Sequence, residues 1–168
     1  ALPGVAITTV ASQGFADRLM TRLEMNGRDN FSYRSRGPTG SVDLRLSGEV
    51  TFNDRETDVV RLGKGARLDL AEKRGGVERE LEVFGKDGVI QRIYRLDGKA
   101  MPLDADGRAW LARTLPVLMR ESGINAEARG KRLLAEGGPD ALLADMALIE
   151  ADHAQARYLA AVAPNSLR

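Results

Sequence analysis

Between residues 75 and 98 the chain carries turn signals in quick succession: Gly75-Gly76, Gly85-Lys86-Asp87-Gly88 and Asp97-Gly98. Gly-Gly and Asp-Gly pairs supply the positive φ angles of a tight hairpin. Strands joined this closely run antiparallel, because a parallel crossover needs about a dozen residues or more. The intervening segments alternate as half-buried strands do: Val77, Leu81 and Val83 take one parity, Glu78, Glu80 and Glu82 the other. Upstream, Val42, Leu44, Leu46, Val50 and Phe52 share a parity, opposed by Asp43, Arg45 and Glu49. Gly48 falls on their inner face and marks a bend, a bulge or the close approach of another backbone. Ala66, Leu68 and Leu70 begin a further strand, Val89–Leu96 another, and a short one lies near Lys99–Leu103.

Earlier in the chain, Val5–Val10 and Phe31–Arg36 read as short strands, the second followed by the turn Gly37-Pro38-Thr39-Gly40. Phe15, Leu19 and Leu23 recur every fourth residue and predict a helix over Ser12–Met25. After Pro102 the pattern becomes helical. Asp104 or Asp106 caps a helix bearing Trp110, Leu111, Leu115 and Leu118, which Pro116 should bend or break. Asn125 caps a short second helix, and Gly137-Gly138-Pro139 separates it from a third running to about Ala163, with Leu142, Met146, Ile149, His153 and Ala156 on one stripe. The fold class is therefore α+β: an antiparallel meander of five to six strands followed by a C-terminal cluster of about three helices. The expected division is an N-terminal segment, 1–40, and an α+β domain, 41–168, with its sheet over 41–103 and its helices over 104–163.

Several activities are excluded by what the sequence lacks. It has no cysteine, so thiolate nucleophiles and Cys-ligated zinc are absent. His153 is the only histidine, so no His-Glu-x-x-His zinc site can form, and no metal or other cofactor is expected. Neither Gly-x-Ser-x-Gly nor Ser-x-x-Lys occurs. Asp104 and Asp106 open like a calcium loop, but the twelfth position is Leu115, so capping and turn formation account for them. A net charge of +1 and few aromatics give no footprint for nucleic acid. No apolar run reaches the roughly 18 residues of a membrane span. The Glu78, Glu80, Glu82 row reads as cross-strand ion pairing with Arg67, Lys73, Arg92 and Arg95 on a solvated face. Arg129, Lys131 and Arg132 read as a solvated helix face beside Glu121, Glu127 and Glu136.

Three stretches together carry a resemblance: Phe52–Leu62, with its Thr57-Asp58-Val59 turn; Leu68–Val83, with the Gly-Gly hairpin; and Tyr94–Arg113, continuing into Arg120–Arg129. Over about residues 42–160 the chain resembles a bacterial envelope region attached to membrane metallopeptidases of the β-lactam-sensor type. It carries neither their membrane helices nor their zinc motif, so the resemblance implies no protease activity. It implies instead an extracytoplasmic, periplasmic sensing or protein-interaction module with a protein partner in the envelope. The leading expectation is accordingly a non-catalytic binding module, using an exposed sheet edge or an apolar groove. Its candidate contact residues are Tyr94, Trp110, His153 and Tyr158, with Trp110 as a plain core residue the competing reading. Two rivals stand beside it. One is a cofactor-independent hydrolase using carboxylates with His153. The other is a structural subunit that self-assembles into a homo-oligomer through strand edges or the last helix.

Overall fold

The computed structural model describes residues 30–149 and 155–156 with their side chains, and the backbone of Val5–Val10 and Met20–Met25. The fold is α+β. The strands are β1 (Val5–Val10), β2 (Met20–Met25), β3 (Asn30–Gly37), β4 (Gly40–Ser47), β5 (Val50–Phe52), β6 (Val59–Leu62), β7 (Arg67–Arg74), β8 (Val77–Lys86), β9 (Val89–Leu96) and β10 (Lys99–Met101). Two helices follow, α1 (Ala105–Ser122) and α2 (Ala126–Met146). The main sheet is antiparallel throughout, in the order β1-β2-β3-β4-β7-β8-β9-β10, and β5 and β6 form a separate hairpin. The chain divides into two compact units: Ala1–Asn53 with Asp58–Leu111, and Asp54–Thr57 with Ala112–Arg168.

Turn chemistry fixes the register of the sheet. Each expected hairpin closes on two residues of positive φ: Gly75 and Gly76 (56° and 78°), Asp87 and Gly88 (52° and 75°), Asp97 and Gly98 (48° and 77°). That signature matches the right-handed strand twist. The four-residue turn expected at 85–88 is shorter, because Gly85 and Lys86 still pair with Ile90 and Val89.

These registers align the side chains of the inner face into rows. One runs Phe31, Leu46, Leu68, Val83, and the next Tyr33, Leu44, Leu70, Leu81, Tyr94. All nine are buried. At about 1.5–3 kcal/mol for each large apolar side chain removed from water, these rows are the main stabilising element of the sheet. A third row, Ser35, Val42, Glu72, Arg79, Leu96, is mixed in polarity.

At Gly48 the expected bend is an exit from the sheet. Its φ is 70°, and a Cβ there would lie 2.9 Å from the Ala66 Cα. The apolar parity that ran on through Val50 and Phe52 therefore belongs to two strands, β4 in the main sheet and β5 in the small hairpin.

The helix expected over Ser12–Met25 is corrected in part. Met20–Met25 is strand β2, paired to β1 and β3. A spacing of four fits the period of 2 as well as that of 3.6, so Leu19 and Leu23 did not discriminate. Residues 11–19 lie outside the described residues. The boundary expected at residue 40 falls inside the β3–β4 hairpin, whose last pair is Gly37 with Gly40.

Asp104 caps α1: its Oδ1 accepts the Gly107 N–H at 2.9 Å. Pro116 does not break this helix, which continues to Ser122 and buries Leu115, Leu118 and Met119 on either side of the proline. Among the described residues the expected second and third helices are joined as the single element α2, and the expected break is present within it as a kink at Gly138 (φ 67°, ψ −163°), before Pro139. α2 ends at Met146, with Ile149 buried just beyond it; of the stretch expected to run on to Ala163, Gln155 and Ala156 are helical and residues 150–154 and 157–163 lie outside the described residues.

Candidate functional site

Two of the four expected contact residues meet in the sheet unit, and they are core. Tyr94 on β9 is 3% exposed and Trp110 on α1 is 0% exposed. Their ring centres lie 5.8 Å apart, tilted by 37°. The indole Nε1–H donates to the Glu72 Oε1 at 3.1 Å, satisfying the one polar atom that the burial of tryptophan leaves over. Gly107 fits against the Tyr94 ring, where a Cβ would stand 3.2 Å from its Cε1. Beside this cluster Arg79 pairs with Asp106 at 3.2 Å. Neither the Tyr94 hydroxyl nor the Arg79 Nε reaches hydrogen-bond geometry with a described group, although both are buried. The cluster therefore anchors the start of α1 on the sheet and offers no surface to a partner. His153 and Tyr158 lie outside the described residues.

On the opposite face of the sheet, charges alternate across the strands. Asp43 pairs with Arg34 (2.6 Å) and Arg45 (3.2 Å). Arg67 pairs with Asp69 (2.8 Å) and Glu82 (2.7 Å), and Glu82 also takes Arg95. Ala71 sits between Asp43 and Glu80 in its row, and its short side chain among long ones leaves a shallow depression of about 350 Å³. The hydrogen bond from Arg95, then the charges of Arg95 and Arg67, hold Glu82 below its ordinary carboxylate range against the opposing effect of burial. The expected ion-paired face is thus present for Arg67 and Arg95. Arg92 departs from it: it lies on the other face, where its guanidinium binds both Asp58 carboxylate oxygens (3.0 and 3.1 Å) and the Val59 carbonyl (2.8 Å).

The β9 edge is only partly covered by its neighbour. The outer neighbour of β9 is β10, which pairs only Lys99, Ala100 and Met101 with Leu96, Arg95 and Tyr94. Met101 is the last paired residue, and Pro102 follows. The chain turns away there, with the Asp104 N–H on the Pro102 carbonyl at 2.9 Å. Val89–Ile93 therefore have no strand on their outer side among the described residues. The Lys86–Val89 pair closes the two-residue hairpin, so alternate residues from Val89 face β8. The outward N–H and C=O groups belong to Ile90 and Arg92. Val89 at the start of this edge is 58% exposed, and Met101 on the neighbouring strand is 40% exposed.

One cluster escaped the sequence reading. Glu56, in the β5–β6 connection, is 1% exposed, and its carboxylate receives the Arg129 guanidinium and the Asn125 Nδ2 (2.9 Å). Arg129 is 4% exposed and also donates to the Pro116 carbonyl at 3.0 Å. Lys131 and Arg132 do form the expected solvated pairs, with Glu127 and Glu136, but Arg129 is buried away from them. Asn125 occupies the expected cap position of α2 yet makes no side-chain cap hydrogen bond; its backbone is left-handed there, and its Nδ2 donates to Glu56. No sequence signal linked these residues, which are 73 positions apart in the case of Glu56 and Arg129.

Among the described residues there is no group of three or more His, Cys, Asp or Glu side chains placed to hold a metal ion, and no helix is long and apolar enough to cross a membrane. Comparison of the chain with protein-family models, with curated proteins and with solved structures finds no match in any of the three.

Proposed function

We propose that this chain is a non-catalytic protein-interaction module that receives an extended segment of a partner protein along the outer edge of β9. The single observation that carries the reading is the edge at Val89–Ile93, which has no neighbouring strand among the described residues because β10 ends at Met101. A sheet edge with free N–H and C=O groups is a template for an added strand, whose main chain supplies affinity and whose alternate side chains supply specificity. The partner segment is extended and apolar at alternate positions, to meet Val89 and its half-buried neighbours Ile90 and Ile93. The resemblance of Phe52–Leu62, Leu68–Val83 and Tyr94–Arg129 to an envelope region supports placing that partner in a bacterial envelope, as part of an extracytoplasmic sensing assembly.

The test is a selection of displayed fragments of envelope proteins on the intact chain, followed by amide NMR of the complex. The expected result is that bound fragments perturb the Ile90 and Arg92 amides, and that Ile90→Pro, which removes an outward donor and leaves the β8 ladder intact, abolishes binding. Fragments that bind elsewhere, or equally well to Ile90→Pro, would refute the reading. A dimer by light scattering that Ile90→Pro dissolves would replace the partner segment with a second copy of the chain.

A further inference from the structure

We infer that Glu56 is a releasable latch: seated, it fixes the corner between α1 and α2, and withdrawn, it lets the helices open while the sheet stays folded.

The latch is held by a loop that does not need it. Asn53 N–H donates to the Asp58 carbonyl at 3.0 Å, closing the base of the β5–β6 connection, and Asp58 is pinned by Arg92 of β9. The base of the loop is thus fixed within the sheet unit, while Asp54–Thr57 belong to the helical unit. Within this tip Asp54 and Arg55 are exposed and Glu56 alone is buried.

Seating Glu56 requires uncommon backbone at two places. Glu56 itself has φ 57° and Asn125 has φ 59°, the left-handed region that a side chain with a Cβ disfavours. From that left-handed position Asn125 makes no side-chain cap hydrogen bond to α2, and its Nδ2 donates to the Glu56 carboxylate. The reward is a carboxylate–guanidinium pair with both partners out of water. Its attraction is largely offset by the desolvation of the two charges. Strain on one side and a nearly cancelling ion pair on the other leave a small margin between the seated and withdrawn states. Removing Glu56 withdraws a carboxylate from the buried Arg129 guanidinium, a loss that a buried ion pair feels strongly. Arg129 carries the effect to α1 as well, through its hydrogen bond to the Pro116 carbonyl.

Native-state hydrogen exchange of the full chain, read by mass spectrometry on peptides, tests this. In the unsubstituted protein, amides of Ala126–Leu134 should exchange through an opening that leaves β7 and β8 protected. In Glu56→Ala that exchange should rise at least tenfold, with β7 and β8 protection unchanged. Glu56→Gln, which keeps the shape but offers one acceptor oxygen in place of two and no charge, should fall between the two. Exchange of α2 only together with the sheet in the unsubstituted protein, or equal changes in helices and sheet in Glu56→Gln, would overturn the latch. Should Glu56→Ala not fold, the unsubstituted protein and Glu56→Gln still decide the matter.

Discussion

The Trp110–Glu72 contact is where α1 is fixed to the sheet, and its strength can be worked out from its burial. Glu72 is 9% exposed, and its other charged neighbour, Arg74, stands at 3.7 Å. Trp110→Phe removes a hydrogen bond to a charged acceptor, a loss of about 1.5–3 kcal/mol, and one ring of packing besides. Glu72→Leu leaves the indole N–H buried and unsatisfied, which costs about 1–3 kcal/mol. The double variant has neither donor nor acceptor. Its loss should approach the packing deficit of Trp110→Phe alone, because replacing both partners by apolar groups is nearly neutral. A double-mutant cycle should therefore show a coupling energy of at least about 1 kcal/mol. Urea unfolding followed by far-ultraviolet circular dichroism measures it without needing the tryptophan as a probe. If the two single losses simply add, to within about 0.5 kcal/mol, the hydrogen bond is not what fixes α1, and the reasoning fails.

Three further outcomes are expected. Tyr94→Phe should cost about 0.5–1.5 kcal/mol, because it removes the buried hydroxyl that interacts with the Arg79 guanidinium; an unchanged unfolding midpoint in the same assay would show that the hydroxyl contributes nothing. Gly48→Ala should cost more than about 1 kcal/mol, since it forces φ 70° on a residue with a Cβ and drives that Cβ to 2.9 Å from the Ala66 backbone; an unchanged melting curve would contradict this. Glu82 has its folded pKa lowered, so its stabilising effect is complete above the ordinary carboxylate pKa of about 4.3 and is lost as pH falls through the folded value. Unfolding midpoints measured from pH 5 down to 2.5 should fall more steeply for the unsubstituted chain than for Glu82→Gln, and parallel curves would refute the pairing.

Local rules governed what could be read in advance. The hairpins between 75 and 98 were legible because their turns need particular residues and their strands alternate cleanly. Asp104 was legible as a cap for the same reason. What failed was non-local. Val50 and Phe52 keep the parity of Leu44 and Leu46, so nothing short of the Ala66 backbone pressing on Gly48 shows that the strand leaves the sheet. Pro116 reads as a breaker, yet the burial of Leu115, Leu118 and Met119 holds the helix through it. Arg129 sits among acidic residues close in sequence, and nothing local shows that a carboxylate of the β5–β6 loop, 73 positions away, also reaches it. Tyr94 and Trp110, expected as contact residues, pack against each other and are buried.

The arrangement of the carboxylates also bears on the hydrolase reading. A general acid must hold its proton near neutral pH, which demands a carboxyl group pushed upward by burial or by a second carboxylate. Glu82 is placed the other way, between Arg67 and Arg95, with its pKa lowered. Asp43 is likewise bracketed, by Arg34 and Arg45, and Asp69 is held by Arg67. Each of these three carboxylates is paired with a neighbouring guanidinium, so much of the wall of the depression around Ala71 is matched charge. Pairs of this kind on a half-exposed face contribute little stability, about 0–1 kcal/mol each. Their consequence is for association: a face whose charges are already matched gives an incoming chain few unpaired groups to bind. The main-chain donors and acceptors of Ile90 and Arg92 remain unmatched at the edge of the same sheet, and a partner strand has the most to gain there.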